Sequence, residues 1–106
     1  MGKGVVNLYG GKLTAAETEF TPANGGIVNI DGTEAVFNMY GGEVVGGKAV
    51  SNGGNFYVRG SLNIMGGKVT GGTAGLNGGN IYIAKGGKMA LNGGNISGDI
   101  LVHADG

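Results

Sequence analysis

Residues 52–70 read NGGNFYVRGSLNIMGGKVT, and what recurs from this stretch decides the fold. Phe56 and Val58 alternate with Tyr57 and Arg59, and Leu62 and Ile64 alternate with Ser61 and Asn63. Alternation of apolar and polar side chains with period two is the signature of a strand with one buried face. A glycine pair precedes the first run, at Gly53-Gly54, and another follows the second, at Gly66-Gly67. Glycine enters the left-handed region without steric cost, so such pairs mark sharp bends.

Outward from this stretch the same phrases return. One motif reads VNLYGGKLT from Val6, FNMYGGEVV from Phe37, LNIMGGKVT from Leu62 and MALNGGNIS from Met89, with starts 31, 25 and 27 residues apart. A second reads IVNID from Ile27, NFYVR from Asn55, NIYIA from Asn80 and DILVH from Asp99. The two alternate along the chain, as they must if each repeat is one turn of a coil that buries its apolar face only against its neighbours. Stacking the motifs gives five inward columns: Val6/Phe37/Leu62/Met89, Leu8/Met39/Ile64/Leu91, Leu13/Val44/Val69/Ile96, Val28/Phe56/Ile81/Ile100 and Ile30/Val58/Ile83/Val102. All twenty positions are apolar. Helical spacing is nowhere sustained, and each interior glycine would cost a helix about 1 kcal/mol.

The outward columns test that register. Lys12, Glu43 and Lys68 share one column with alternating sign, and Asp31 and Arg59 share another. Neighbouring strands lie ~4.8 Å apart, where opposite charges attract and like charges repel. Asn7, Asn38 and Asn63 form an asparagine column, Tyr9 lies over Tyr40, and Tyr57 over Tyr82. In-register parallel stacking favours such columns. Asn24, Asn52 and Asn77 each precede a glycine pair at a second corner, where asparagine tolerates left-handed backbone and bonds its neighbours. The third side varies. Val44 to Phe56 and Val69 to Ile81 are equally long, Leu13 to Val28 is three residues longer and carries Glu17, Glu19 and Pro22, and Ile96 to Ile100 nearly vanishes. These unequal lengths argue against an idealised repeat.

Composition agrees. The chain has 106 residues, one domain's length, with 27 glycines, a single proline and 41% apolar residues. Collagen is excluded because the glycines lack a three-residue period, and disorder because the apolar content is too high. Formal net charge is zero, which leaves no electrostatic footprint for nucleic acid. There is no cysteine, and no stretch is apolar enough for a transmembrane helix. The start, Met1-Gly2-Lys3-Gly4, does not read as a signal peptide, so the chain is expected to be intracellular or a piece of a longer secreted protein.

The phrases NGGNFYV from Asn52, NGGNIYI from Asn77 and LNIMGGKVTGG from Leu62 resemble right-handed parallel β-helix repeats of the pectate-lyase-like class, in the style of large bacterial surface and secreted proteins. The resemblance covers essentially the whole chain. It implies an all-β, right-handed parallel β-helix of about four rungs over residues 1–106. It says little of activity, because the class spans adhesins, lyases, hydrolases and inert stalks.

Motifs that could carry chemistry are weak. Gly42 to Lys48, GEVVGGK, approaches a phosphate-binding loop, but Ala49 stands where Ser or Thr should hold magnesium and no helix follows. No aspartate follows the glycine pairs as a calcium-binding β-roll requires. Asp31, Glu34, Asp99 and Asp105 read as solvated surface charges and not as the paired carboxylates of glycoside cleavage, and His103 is a lone outward histidine. Regular threonine ranks fail because Val45 separates Thr14 from Thr70, and Asn95-Ile96-Ser97 reads as a chance sequon. The expectation is therefore no enzyme and no catalytic, cofactor or metal site. The best contact candidate is the outward column Tyr57, Tyr82 and Leu101, able to meet a sugar ring or an apolar partner surface.

Neither end shows a cap. The last residues begin a rung and the first supply its next strand, so tail and head placed end to end complete one coil. The sequence predicts a structural or adhesive module, extracellular or at a bacterial surface. Its expected partner is itself, by head-to-tail stacking into filaments, or else it is an excised length of stalk. The other reading is a carbohydrate-binding fragment of a polysaccharide-active protein. Neither nucleic acid binding nor membrane insertion is expected.

Overall fold

The computed structural model describes residues 4–14, 24–98 and 100–102. Among these residues fourteen strands form: β1 Val5–Leu8, β2 Lys12–Thr14, β3 Val28–Ile30, β4 Val36–Met39, β5 Glu43–Val45, β6 Lys48–Ala49 and β7 Phe56–Val58, followed by β8 Ser61–Ile64, β9 Lys68–Thr70, β10 Thr73–Ala74, β11 Ile81–Ile83, β12 Lys88–Leu91, β13 Asn95–Ile96 and β14 Ile100–Val102. Three four-stranded sheets run β1-β4-β8-β12, β2-β5-β9-β13 and β3-β7-β11-β14, and a two-stranded sheet joins β6 to β10. Every pairing is parallel. The result is a parallel β-solenoid of about three turns, each strand lying on its counterpart one turn back.

The register matches the sequence columns residue for residue. Val6 pairs with Phe37, Phe37 with Leu62 and Leu62 with Met89, and the same holds from Leu8 through Met39 and Ile64 to Leu91. Leu13, Val44, Val69 and Ile96 align, as do Val28, Phe56, Ile81 and Ile100, and Ile30, Val58, Ile83 and Val102. In the two middle layers these side chains are sealed, none more than 3% exposed. Phe37 and Phe56 meet edge to face across the interior, centroids 5.3 Å apart. Each such buried apolar side chain contributes about 1.5–3 kcal/mol, so the interior columns are what hold the coil closed.

Three features of the fold lie beyond the sequence columns. The third side holds its own short strands, β6 and β10, with Ala49 over Ala74. At the second corner the left-handed residues are Gly25, Gly53 and Gly78, and no described non-glycine residue has positive φ. Asn24, Asn52 and Asn77 instead bridge rung to rung: the Asn52 N–H donates to Asn24 Oδ1, and Asn77 Nδ2 donates to Asn52 Oδ1, both at 3.3 Å. The last layer omits the β6/β10 side altogether, turning from β13 to β14 through Gly98, where a β-carbon would strike the Asn80 side chain. The longer connection with Glu17, Glu19 and Pro22 lies outside the described residues, as do Asp99, His103 and Asp105.

Candidate functional site

Tyr57, Tyr82 and Leu101 stand in one column because β7, β11 and β14 pair in register, with Asn29 of β3 completing it. The two tyrosines are half-buried and their rings stack, centroids 5.5 Å apart and planes 9° apart. Tyr9 and Tyr40 make a second stack at the first corner, 4.9 Å and 8°. In both pairs each ring covers part of its neighbour's face. Ring edges, hydroxyls and the outer faces are what remain for a ligand. Stacking of this kind contributes ~0.5–1.5 kcal/mol beyond area burial, so the rungs themselves already use much of what the aromatics offer.

The amides are used in the same way. Asn38 Nδ2 donates to Asn7 Oδ1 at 3.0 Å and Asn63 Nδ2 to Asn38 Oδ1 at 2.8 Å, an outward ladder that ends at Ala90. A second, internal ladder escapes sequence reasoning. Asn55 and Asn80, which open the NFYVR and NIYIA phrases, are completely buried. Asn55 Oδ1 accepts the Gly47 N–H at 2.8 Å, while its Nδ2 donates to the Thr70 carbonyl at 3.0 Å and to Asn80 Oδ1 at 2.8 Å. Asn80 Oδ1 also accepts the Gly72 N–H at 2.8 Å, and its Nδ2 donates to the Ser97 carbonyl. These bonds stitch the backbone of the third side to the strand that follows it. The signal was present, a polar residue at the same repeat position just before the inward Phe56 and Ile81, but an inward polar residue breaks the alternation that strand reasoning relies on.

The remaining candidates separate. Residues 42–48 are a corner, strand β5, a second bend and the start of β6, with no helix to receive a phosphate. Asp31 and Glu34 are exposed, and the Ile30–Val58 pairing places Asp31 and Arg59 at neighbouring positions just past their strands. Lys12, Glu43 and Lys68 align as expected, beside a shallow furrow floored by Gly11, Gly42, Gly66, Gly67 and Gly94. Thr14, Val45 and Thr70 align, with Val45 interrupting the threonines as the sequence implied. Among the described residues no three His, Cys, Asp or Glu side chains gather as a metal site would require, and no helix is long and apolar enough to cross a membrane.

Compared with protein-family models, curated proteins and solved structures, the chain matches none.

Proposed function

We propose that this chain is a structural or adhesive length of β-solenoid in an extracellular or cell-surface protein, akin to the right-handed pectate-lyase-like repeats of bacterial surface proteins, and not an enzyme. One observation carries the reading: the aligned polar and aromatic side chains are largely committed to their own counterparts one turn away. The Asn7/Asn38/Asn63 ladder, the Asn55/Asn80 ladder and both tyrosine stacks build rung-to-rung adhesion. Catalysis needs convergent groups held free to act on a substrate. A rod needs what is found here, repeated contacts along one axis. The right hand is the one that parallel crossover connections overwhelmingly adopt.

The test of placement is labelling of intact source cells with an antibody to the module. Signal before permeabilisation is expected, and signal only afterwards removes the surface reading. Carbohydrate contact is the second reading, favoured by the outward position of Tyr57 and Tyr82 beside Leu101. A glycan array decides it. Binding that falls about tenfold or more in the Tyr57→Ala, Tyr82→Ala double variant supports a sugar site. No binding, or binding indifferent to the change, leaves the scaffold alone.

A further inference from the structure

Among the described residues nothing accounts for a glycine at position 10. It opens the first corner, as Gly41, Gly66 and Gly93 do in later layers. None of the four takes a left-handed φ. The later three are glycines because of the layer behind them: a β-carbon on Gly41 would lie 2.6 Å from the Tyr9 carbonyl oxygen, one on Gly66 2.5 Å from that of Tyr40, and one on Gly93 would strike that of Met65. At Gly10 a β-carbon meets no described residue within 4 Å.

The two edges of the coil match each other. At one edge, β12, β13 and β14 leave Leu91 53%, Ile100 42% and Val102 55% exposed, in columns that are sealed in the middle layers. At the other edge, formed by β1, β2 and β3, Val6 is 40% exposed and Leu8, Leu13 and Val28 are half-covered, while Ile30 of β3 is already buried.

We propose that the partner of these edges is a second copy of this chain, stacked head to tail with β12 on β1, β13 on β2 and β14 on β3. This deepens the structural-module reading and rests on it. Continuing the register pairs Met89 with Val6, Leu91 with Leu8, Ile96 with Leu13, Ile100 with Val28 and Val102 with Ile30, apolar on apolar throughout. On the outer face Lys88 meets Val5, Ala90 meets Asn7 and Asn95 meets Lys12, so no like charges are opposed. The Asn92 carbonyl then falls against Gly10, as that of Met65 falls against Gly93. A copy inverted about a perpendicular two-fold would meet the edge antiparallel, and so would not continue the parallel register that every described pairing follows. A translational contact of this kind does not close, so it propagates as a filament.

The full chain tests this in two ways. Sedimentation over a wide concentration range is expected to show growing assemblies for the wild type. Gly10→Ala should weaken association about tenfold or more while melting at the same temperature when dilute. The chain has no cysteine of its own. Mixed Asn7→Cys and Ala90→Cys proteins should therefore form a disulfide on oxidation, since directly paired strand residues fall within the ~4.4–6.8 Å Cα separation that a bridge tolerates. Asn7→Cys with Ser51→Cys, a position on the third side of a middle layer away from both edges, should not. A wild type that stays monomeric at millimolar concentration overturns the proposal, as would occur if the edges serve further coil of a longer chain. Association unchanged by Gly10→Ala, or equal cross-linking of both pairs, overturns the register. A monomer that keeps its β-sheet circular dichroism and cooperative melting leaves the solenoid reading intact, so the two failures are distinct.

Discussion

Asn55 occupies a fully buried position where its amide oxygen faces one donor and its nitrogen faces two acceptors, the Thr70 carbonyl and Asn80 Oδ1. Only an amide satisfies that arrangement. Asn55→Asp keeps the shape and replaces the donor with a second acceptor, so the carboxylate is repelled unless it binds a proton. Desolvation and the facing oxygens both raise its folded-state pKa above the unfolded value near 3.9. A raised folded pKa means stability is retained below the unfolded pKa and lost as pH rises through the folded one. The expected outcome is a variant close to wild type in acid that loses ~3–5 kcal/mol by neutral pH, the scale of an uncompensated buried charge. Urea titrations at several pH values read this directly. A pH-independent deficit would mean that the carboxylate finds water, and that the interior ladder is less closed than its geometry indicates.

Among elements, the first corner is the most constrained, because the chain must both turn and let the next layer pass within strand distance. Gly66→Ala introduces a β-carbon 2.5 Å from the Tyr40 carbonyl oxygen, against rigid backbone on a neighbouring strand. Overpacking of this kind costs ~1–3 kcal/mol, and a thermal melt should show it as a clear drop in midpoint. The strands themselves were legible in the sequence because alternation reports one buried face and repetition reports the register. Repetition alone aligns Lys12/Glu43/Lys68 and Asn7/Asn38/Asn63, and the strand pairing has the same register. Lys48–Ala49 and Thr73–Ala74 could not be read this way, since strands of two residues are too short to show a period. The shortened last layer was visible as a missing length, but its solution was not. That Gly98 crosses directly over Asn80 depends on where a buried side chain ends, which local pattern does not encode. For the candidate contact column, sequence supplied the alignment of Tyr57 and Tyr82, while the ring planes that decide what a ligand could touch came only with the structure.

At the scale of the whole molecule, a solenoid has neighbours only along its axis, so stability is a sum of layer and interface terms and is lowest where one interface is missing. Burial shows that gradient: the inward side chains of the middle layers are sealed, while Val6 at one edge and Leu91, Ile100 and Val102 at the other are open to solvent. Local opening should follow it, because amides exchange through the cheapest opening that frees them. In dilute protein, hydrogen exchange is expected to be slowest for β7, β8 and β11, and fastest for β1 and β14. Concentration changes the expectation if copies stack, because the added layer supplies the absent interface. Protection should then rise selectively in β1 to β3 and in β12 to β14, with little change in the middle. The same experiment on Gly10→Ala isolates the cause, since that substitution leaves each middle layer as it was and obstructs only the incoming Asn92 carbonyl. Edge protection that grows with concentration in the wild type and not in the variant would tie the stability gradient to self-stacking. Uniform protection along the axis would instead mean that the coil opens as one cooperative unit, and that its free edges cost it little.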